Sequence, residues 1–260
     1  MITNLDIAMA AVFVAVGVLL SAIERLKLER DIIIAAIRAL VQLMLVGYVL
    51  RFVFAQSAII WTVAMIFLMS LVGAWTSAGR AKSVPGALKI TVTSMVLTVG
   101  ISLVALWVLG ILPPKPRYLI PVAGMVIGNS MNTLSISLIR LSDGIRENRD
   151  RIEVALALGK TPIEAVRFLL KKSLRLAVIP RIDNVKVSGI IHLPGAMTGM
   201  ILAGASPIQA VKFQIIIMYI LLGTPMLVAY FGTRLAYKRF FNKDFQLLVP
   251  AGPGKKRSKK

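Results

Sequence analysis

The sequence predicts an all-α fold: a polytopic transmembrane helical bundle of about seven spans, N-terminus outside and C-terminus cytoplasmic. Three observations carry this. Of the 260 residues, 57% are hydrophobic, against about 45–50% in a soluble domain. Near-uncharged runs of ~20 residues recur, the length that crosses the hydrocarbon core of a bilayer. The basic residues are also sorted by segment, as a topology requires. The runs are continuously apolar rather than alternating, which excludes a β-barrel. With no cysteine and one histidine, disulfides, thiolate metal sites, Cys nucleophiles and a multi-histidine site within one chain are excluded. The net charge of +20 would suggest nucleic acid in a soluble protein, but here topology accounts for it.

Residues 4–23 make the first expected span. Arg25, Lys27 and Arg30 follow it and no basic residue precedes it, the reverse of a secretory signal, so the segment should stay as a helix. The second span, 32–54, carries Arg38 and Gln42 on one helix face. Arg38 either snorkels to the interface or faces a cavity within the bundle. The third and fourth spans are expected at 59–78 and 90–112, the latter stopped by Pro113, Pro114 and Pro116. The fifth is expected at 118–139, the sixth at 187–205 and the seventh at 213–237. On this layout the cytoplasmic segments 24–31, 79–89, 140–186 and 234–260 hold 26 of the 31 Lys/Arg. Six or eight spans would put a basic cluster outside. The chain therefore reads as one transmembrane domain, 1–260, with a cytoplasmic loop at 140–186 and a basic tail at 238–260.

The loop at 140–186 carries eleven Lys/Arg and six Asp/Glu. Gly159 is placed to end a helix in the left-handed conformation. Thr161 can cap a second helix with Pro162 at its first position and Glu164 three residues on, a capping box. Two short helices joined by a turn of about three residues should form an elbow at the membrane surface. Such an elbow could be a DNA-binding helix–turn–helix, a plain connector, or a grip for a soluble partner. Tethering between spans opposes the first, and the specified turn chemistry opposes the second. The chain has no G-x-x-x-x-G-K-[ST] motif, so any ATP-derived energy must come from another chain.

The fifth and sixth spans each hold a G-x-x-x-G pair, Gly124/Gly128 and Gly195/Gly199, which allows close helix approach. Near these lie Met125, Asn129, Met131 and Asn132, and His192, Pro194, Met197 and Met200. Asn side chains in lipid need partners or a polar cavity, and a Pro-Gly break in a span exposes backbone as transporter sites do. These eight residues are the candidates for a translocation path. The methionines equally suit adaptable packing, and His192 a hydrogen-bonded structural role. No acid/base pair or metal triad can be assembled in the spans, which excludes an intramembrane hydrolase.

Glu153-x-Ala155-x-x-x-Gly159 resembles the E-A-A-x-x-x-G loop of ABC importer permeases, which docks on the ATPase, departing from it at Val154. A broader resemblance rests on Leu28-Glu-Arg-Asp-Ile32, Arg38-Ala-Leu-Val-Gln42, Val46-Gly-Tyr-Val-Leu50, Pro121-Val-Ala-Gly-Met125, Gly128-Asn-Ser-Met-Asn132, Leu158-Gly-Lys-Thr-Pro162, Leu193-Pro-Gly195, Thr198-Gly199 through Pro207, and Lys212-Phe-Gln214. These motifs resemble the FetB-type (YbbM-like) ABC permease family. Lys160 and His192 stand where the family pattern leads us to expect smaller residues. The resemblance implies a permease subunit exporting iron or another metal. ATP and Mg would be bound by a separate ATPase, and two copies of this chain would pair with two ATPases. It implies ATPase coupling through Glu153, Ala155, Gly159, Lys160, Thr161, Pro162 and Glu164. A permease for an organic or nucleotide-sugar cargo and an ATP-independent membrane scaffold are the alternatives.

Overall fold

The structure, a computed structural model, describes residues 4–55, 59–191 and 193–248. His192 and the basic run at 255–260 lie outside them. The described residues form α1 (Asn4–Ile23), α2 (Glu29–Ala55), α3 (Ile59–Arg80), α4 (Ala87–Val108), α5 (Pro116–Glu147), α6 (Arg149–Ala157), α7 (Pro162–Val187), α8 (Gly195–Leu202) and α9 (Pro207–Tyr237), then one 3-10 turn. An isolated bridge pairs Phe241 with Leu247. The fold is all-α, as expected.

The chain divides into two units, 1–58 and 59–260. In the first, α1 and α2 form a hairpin closed by Ser21. Its hydroxyl donates to Glu29 Oε1 at 2.8 Å and accepts from the Leu28 N–H at 3.1 Å. Arg38 and Gln42 are exposed within this unit.

The second unit is a bundle whose directions follow from its contacts. Ser77 bonds the Met131 carbonyl and Arg80 bonds Asn132, so α3 and α5 run parallel. Val122 packs near Phe213 and Ile220, and Gly232 meets Leu134, so α5 and α9 run parallel too. Arg181 shares a cavity with Leu221 while Ser188 shares one with Gln214, so α7 is antiparallel to α9. Several buried hydroxyls bond within their own helices: Ser70, Ser102, Thr133, Ser135 and Thr233 each donate to the carbonyl four residues back. Small side chains of this kind let helices approach closely in a bilayer.

One end of this unit gathers the segments that the charge pattern put on one side. Ser142 and Arg146 donate to the Ser83 carbonyl at 3.2 and 3.4 Å. Gly86 lies beside Arg239, and the elbow borders residues 244–247.

Among the described residues, six helices are long and apolar enough to cross a membrane. They cover the first five expected spans and the seventh. The expected sixth, 187–205, is not one helix: α7 ends at Val187, Gly189 turns left-handed at φ +85°, and α8 has only 8 residues. At 1.5 Å per residue α8 is about 12 Å long, well short of a bilayer. Pro194 lies outside α8 as its N-cap, in extended conformation, so the break precedes the second glycine pair. The second helix of the elbow is not short either. α7 runs for 26 residues and packs along α5 and α9, burying Ala165, Val166, Leu169, Leu170, Ala177 and Val178.

Candidate functional site

The elbow is built as a rigid unit. Gly159 has φ +83°; its N–H donates to the Leu156 carbonyl at 2.9 Å and the Lys160 N–H to Ala155 at 3.1 Å. Those two bonds are the Schellman pair that closes a helix end. Four residues, 158–161, make the turn. Thr161 is extended, and its N–H and hydroxyl both donate to Glu164 Oε2, at 2.9 and 2.6 Å. Pro162 then starts α7 where a missing N–H costs nothing. The two Thr161 bonds, with lesser help from Lys160 and Arg167, hold the Glu164 carboxyl below its usual range. Arg151 stacks over the Phe168 ring at 4.3 Å and ties α6 to α7, while Ile152 is fully buried.

Glu153 pairs with Arg149 at 2.7 Å along α6. It lines a cleft of about 470 Å³ with Leu156, Gly159 and Lys160 on one side and Phe245 and Leu247 on the other. That C-terminal hook is pinned by Asn242, which bonds both the Gln246 side chain and its N–H. At the outer face of α6, Val154 and Leu158 are 60% and 76% exposed. They lie four apart and so on one face. The sequence pattern marked Val154 only as a departure from a motif. In the structure, Val154 and Leu158 form an apolar tip.

The path candidates divide between two places. Asn129 lines a cavity of about 230 Å³ with Arg181, Asn184, Val185, Ser188 and Met218, between α5, α7 and α9. Pro194 and Met197 line an adjoining one of about 460 Å³ with Val185, Ser188, Gln214 and Met218. The two adjoin at Val185, Ser188 and Met218, which line both, and together they are called the groove. Asn129 Nδ2 donates to the Met125 carbonyl at 2.7 Å. Asn132 is not in the groove but takes a 2.8 Å bond from Arg80. The Met131 carbonyl accepts from Ser77 and Ser135, and Met200 lies on α8 outside the groove lining.

Arg181, Asn184, Gln214 and Met218 were not among the candidates read from the sequence. Arg181 and Asn184 stood in the charged loop, and only the packing of α7 along α5 brings them to Asn129. Gln214 stood near the start of an apolar span, and a lone amide there was the available signal. Of the four paired glycines, a Cβ on Gly124 would lie 3.2 Å from Met69 Cε, whereas one on Gly128, Gly195 or Gly199 would meet nothing within 4 Å in this chain. The closer approaches are at Gly73, against Ile127, at Gly144, against Leu169, and at Gly232, against Leu134.

The UPF0014 family, described as an uncharacterised protein family, matches residues 4–241. The chain is 39% identical to the "UPF0014 membrane protein STAR2" of Oryza sativa subsp. japonica, covering 92% of this chain and 84% of that one. It is 35% identical to the "Probable iron export permease protein FetB" of Escherichia coli (strain K12), covering 95% and 96%. It is 37% identical to "Protein ALUMINUM SENSITIVE 3" of Arabidopsis thaliana, covering 92% and 88%. No solved structure matches. With the family matched over nearly its whole length and its apolar helices long enough to span a bilayer, the chain belongs to the UPF0014 family of multi-pass membrane proteins.

Proposed function

We propose that this chain is the membrane subunit of an ABC transporter and exports iron or another metal with ATP hydrolysed by a separate subunit. Two copies of the chain would work with two ATPase chains, each ATPase binding the ATP and Mg. The observation that carries this reading is the elbow tip. Val154 and Leu158 are apolar and exposed, on a turn fixed by a Schellman pair and a Thr–Glu cap. Two apolar side chains held out on a fixed turn offer a docking point for a protein partner, and rigidity suits a lever. Closure of the ATPases on residues 153–165 would push α7 lengthwise, because its capped N-terminus begins at the tip. The other end of α7 borders the groove, so the same push would reach Ser188 and the 188–194 break. The metal as cargo rests on likeness to the relative named as an iron export permease.

The test is co-purification from the native host with the Leu158→Asp variant as control. The unaltered chain should bring down a nucleotide-binding ATPase whose hydrolysis is stimulated in the complex. Leu158→Asp should lose both, with an unchanged melting temperature, because the side chain is exposed and touches little of its own fold. Full-rate transport by vesicles holding this chain alone would overturn the proposal.

A further inference from the structure

The elbow tip is too small to hold a partner by itself. A stable complex buries about 800 Å² on each partner, roughly 20–30 residues, and Val154 and Leu158 are two side chains. Whatever grips the elbow must reach further over the surface of the chain. Beside the tip lies the cleft of about 470 Å³ whose far wall is the hook, residues 244–247.

The hook is tied down at both ends. Phe240 and Phe241 are buried, and Phe241 bridges Leu247. The Leu248 N–H donates to the Phe240 carbonyl at 2.8 Å, and the Phe245 N–H to the Asn242 carbonyl at 3.2 Å. This bonding holds Phe245 at φ +59°, a left-handed conformation that a bulky side chain rarely adopts. The strain brings little packing in return, because Phe245 is 58% exposed, as is Leu248. A strained residue in a well-bonded turn, with its ring held out, points to a use beyond the fold. Glu153 and Lys160 on the elbow and Asp244 on the hook line the same cleft as that ring. Charges of both signs around it oppose a seat in lipid, where each is costly. They match the apolar centre and polar rim of a protein interface.

We propose that the hook is the second half of the ATPase docking surface. An apolar side chain of the ATPase enters the cleft between Phe245 and the elbow while the same subunit covers Val154 and Leu158. The identity of the partner rests on the permease reading. The hook follows α9 through the 3-10 turn at Lys238–Phe240, so an ATPase seated on both walls would act on the end of α9 as well as on the start of α7.

In the test, the ATPase that co-purifies with the unaltered chain is released and rebound to the full chain in lipid nanodiscs. Phe245→Asn removes the ring and keeps the turn, because asparagine tolerates the left-handed conformation. It should weaken binding about tenfold or more, the loss typical of an aromatic anchor, while the melting temperature of the chain alone does not fall. Phe245→Tyr should retain most of the affinity. The chain has no cysteine, so Asp244→Cys carries a single thiol. It should react with a maleimide in the free chain and be shielded in the complex. Binding that Leu158→Asp abolishes and Phe245→Asn leaves unchanged, with Asp244→Cys labelled equally in both forms, would overturn the role of the hook and leave the permease reading standing. Quenching of a bimane on Asp244→Cys by nitroxide lipids would also overturn it, by seating the hook in the bilayer. So would a disulfide between two copies of Asp244→Cys without ATPase, which would give the surface to a second copy. If no ATPase accompanies even the unaltered chain, the permease reading itself fails, and this surface falls with it.

Discussion

Single residues set the elbow, and two of them can be tested directly. Gly159 holds φ +83° with no atom near the position of a Cβ, so the cost of Gly159→Ala is backbone strain, about 1–2 kcal/mol, and not a clash. That strain falls on the turn itself, and the variant should loosen any ATPase complex more than it lowers the melting temperature of the bundle. Glu164 gives a pH signature. Its carboxyl is held below the usual range because Thr161 bonds the charged form. A depressed folded-state value means the carboxylate stabilises the cap fully above the unfolded-state pKa. That contribution fades as pH falls through the folded-state value. Hydrogen exchange at the Ala165 N–H, which donates to the Thr161 carbonyl at 3.0 Å, reads this out. Corrected for intrinsic rate, its protection should stay level from neutral pH to the ordinary glutamate range and drop on further acidification. Glu164→Gln should be less protected at neutral pH and show no such drop.

Helix packing shows which parts of the architecture were written in local sequence. Gly73 faces Ile127 Cγ2, which a Cβ would approach to 2.8 Å. A β-branched side chain cannot swing away, so Gly73→Ala should cost ~1–3 kcal/mol of overpacking. That outweighs the roughly 1 kcal/mol that alanine gains in a helix. Gly128→Ala, with open space around it, should keep the gain. Melting temperatures in detergent should therefore move in opposite directions for the two variants. The G-x-x-x-G pattern singled out Gly128 and missed Gly73, because spacing along one helix does not say which face a neighbour occupies. Features confined to a few adjacent residues were legible: Gly159 as a left-handed stop, Thr161 and Glu164 as a cap, and the limits of α1; Pro116 was read only as part of the proline stop after the fourth span, whereas it begins α5. The 187–205 segment was not legible. Its mean apolarity suits a span, but Gly189 and Pro194 divide it, and the cost of that break is visible only when α7 is seen to carry the chain up to it. Arg181 escaped for the same reason, since its polar neighbours in sequence gave no hint of the apolar helices that it would lie against.

At the scale of the whole second unit, α7 poses the sharpest physical question. Its inner face is apolar and packs on α5 and α9, yet Arg181, Asp183, Asn184 and Lys186 lie at a depth where those two helices are apolar. Asp183 and Lys186 are exposed and paired at 3.3 Å. Each charged residue at the centre of a lipid-facing helix costs ~2.5–3.5 kcal/mol even on the mildest scales, and one exposed ion pair returns at most ~1 kcal/mol. The sum forbids a lipid-facing position, so the outer face of α7 must border water or a protein surface that holds water. The chain has no cysteine, so a single introduced thiol reports alone. Asp183→Cys in intact membranes should react with a charged, bilayer-impermeant maleimide, and Leu97→Cys, on the exposed face of apolar α4, should not. Labelling of Asp183→Cys should also change between nucleotide-free and ATP-bound complexes if the groove opens alternately to the two sides. Absence of labelling in every state, with the thiol reactive once the protein is in denaturant, would mean that the face is sealed by protein and that the route for cargo lies elsewhere in the bundle.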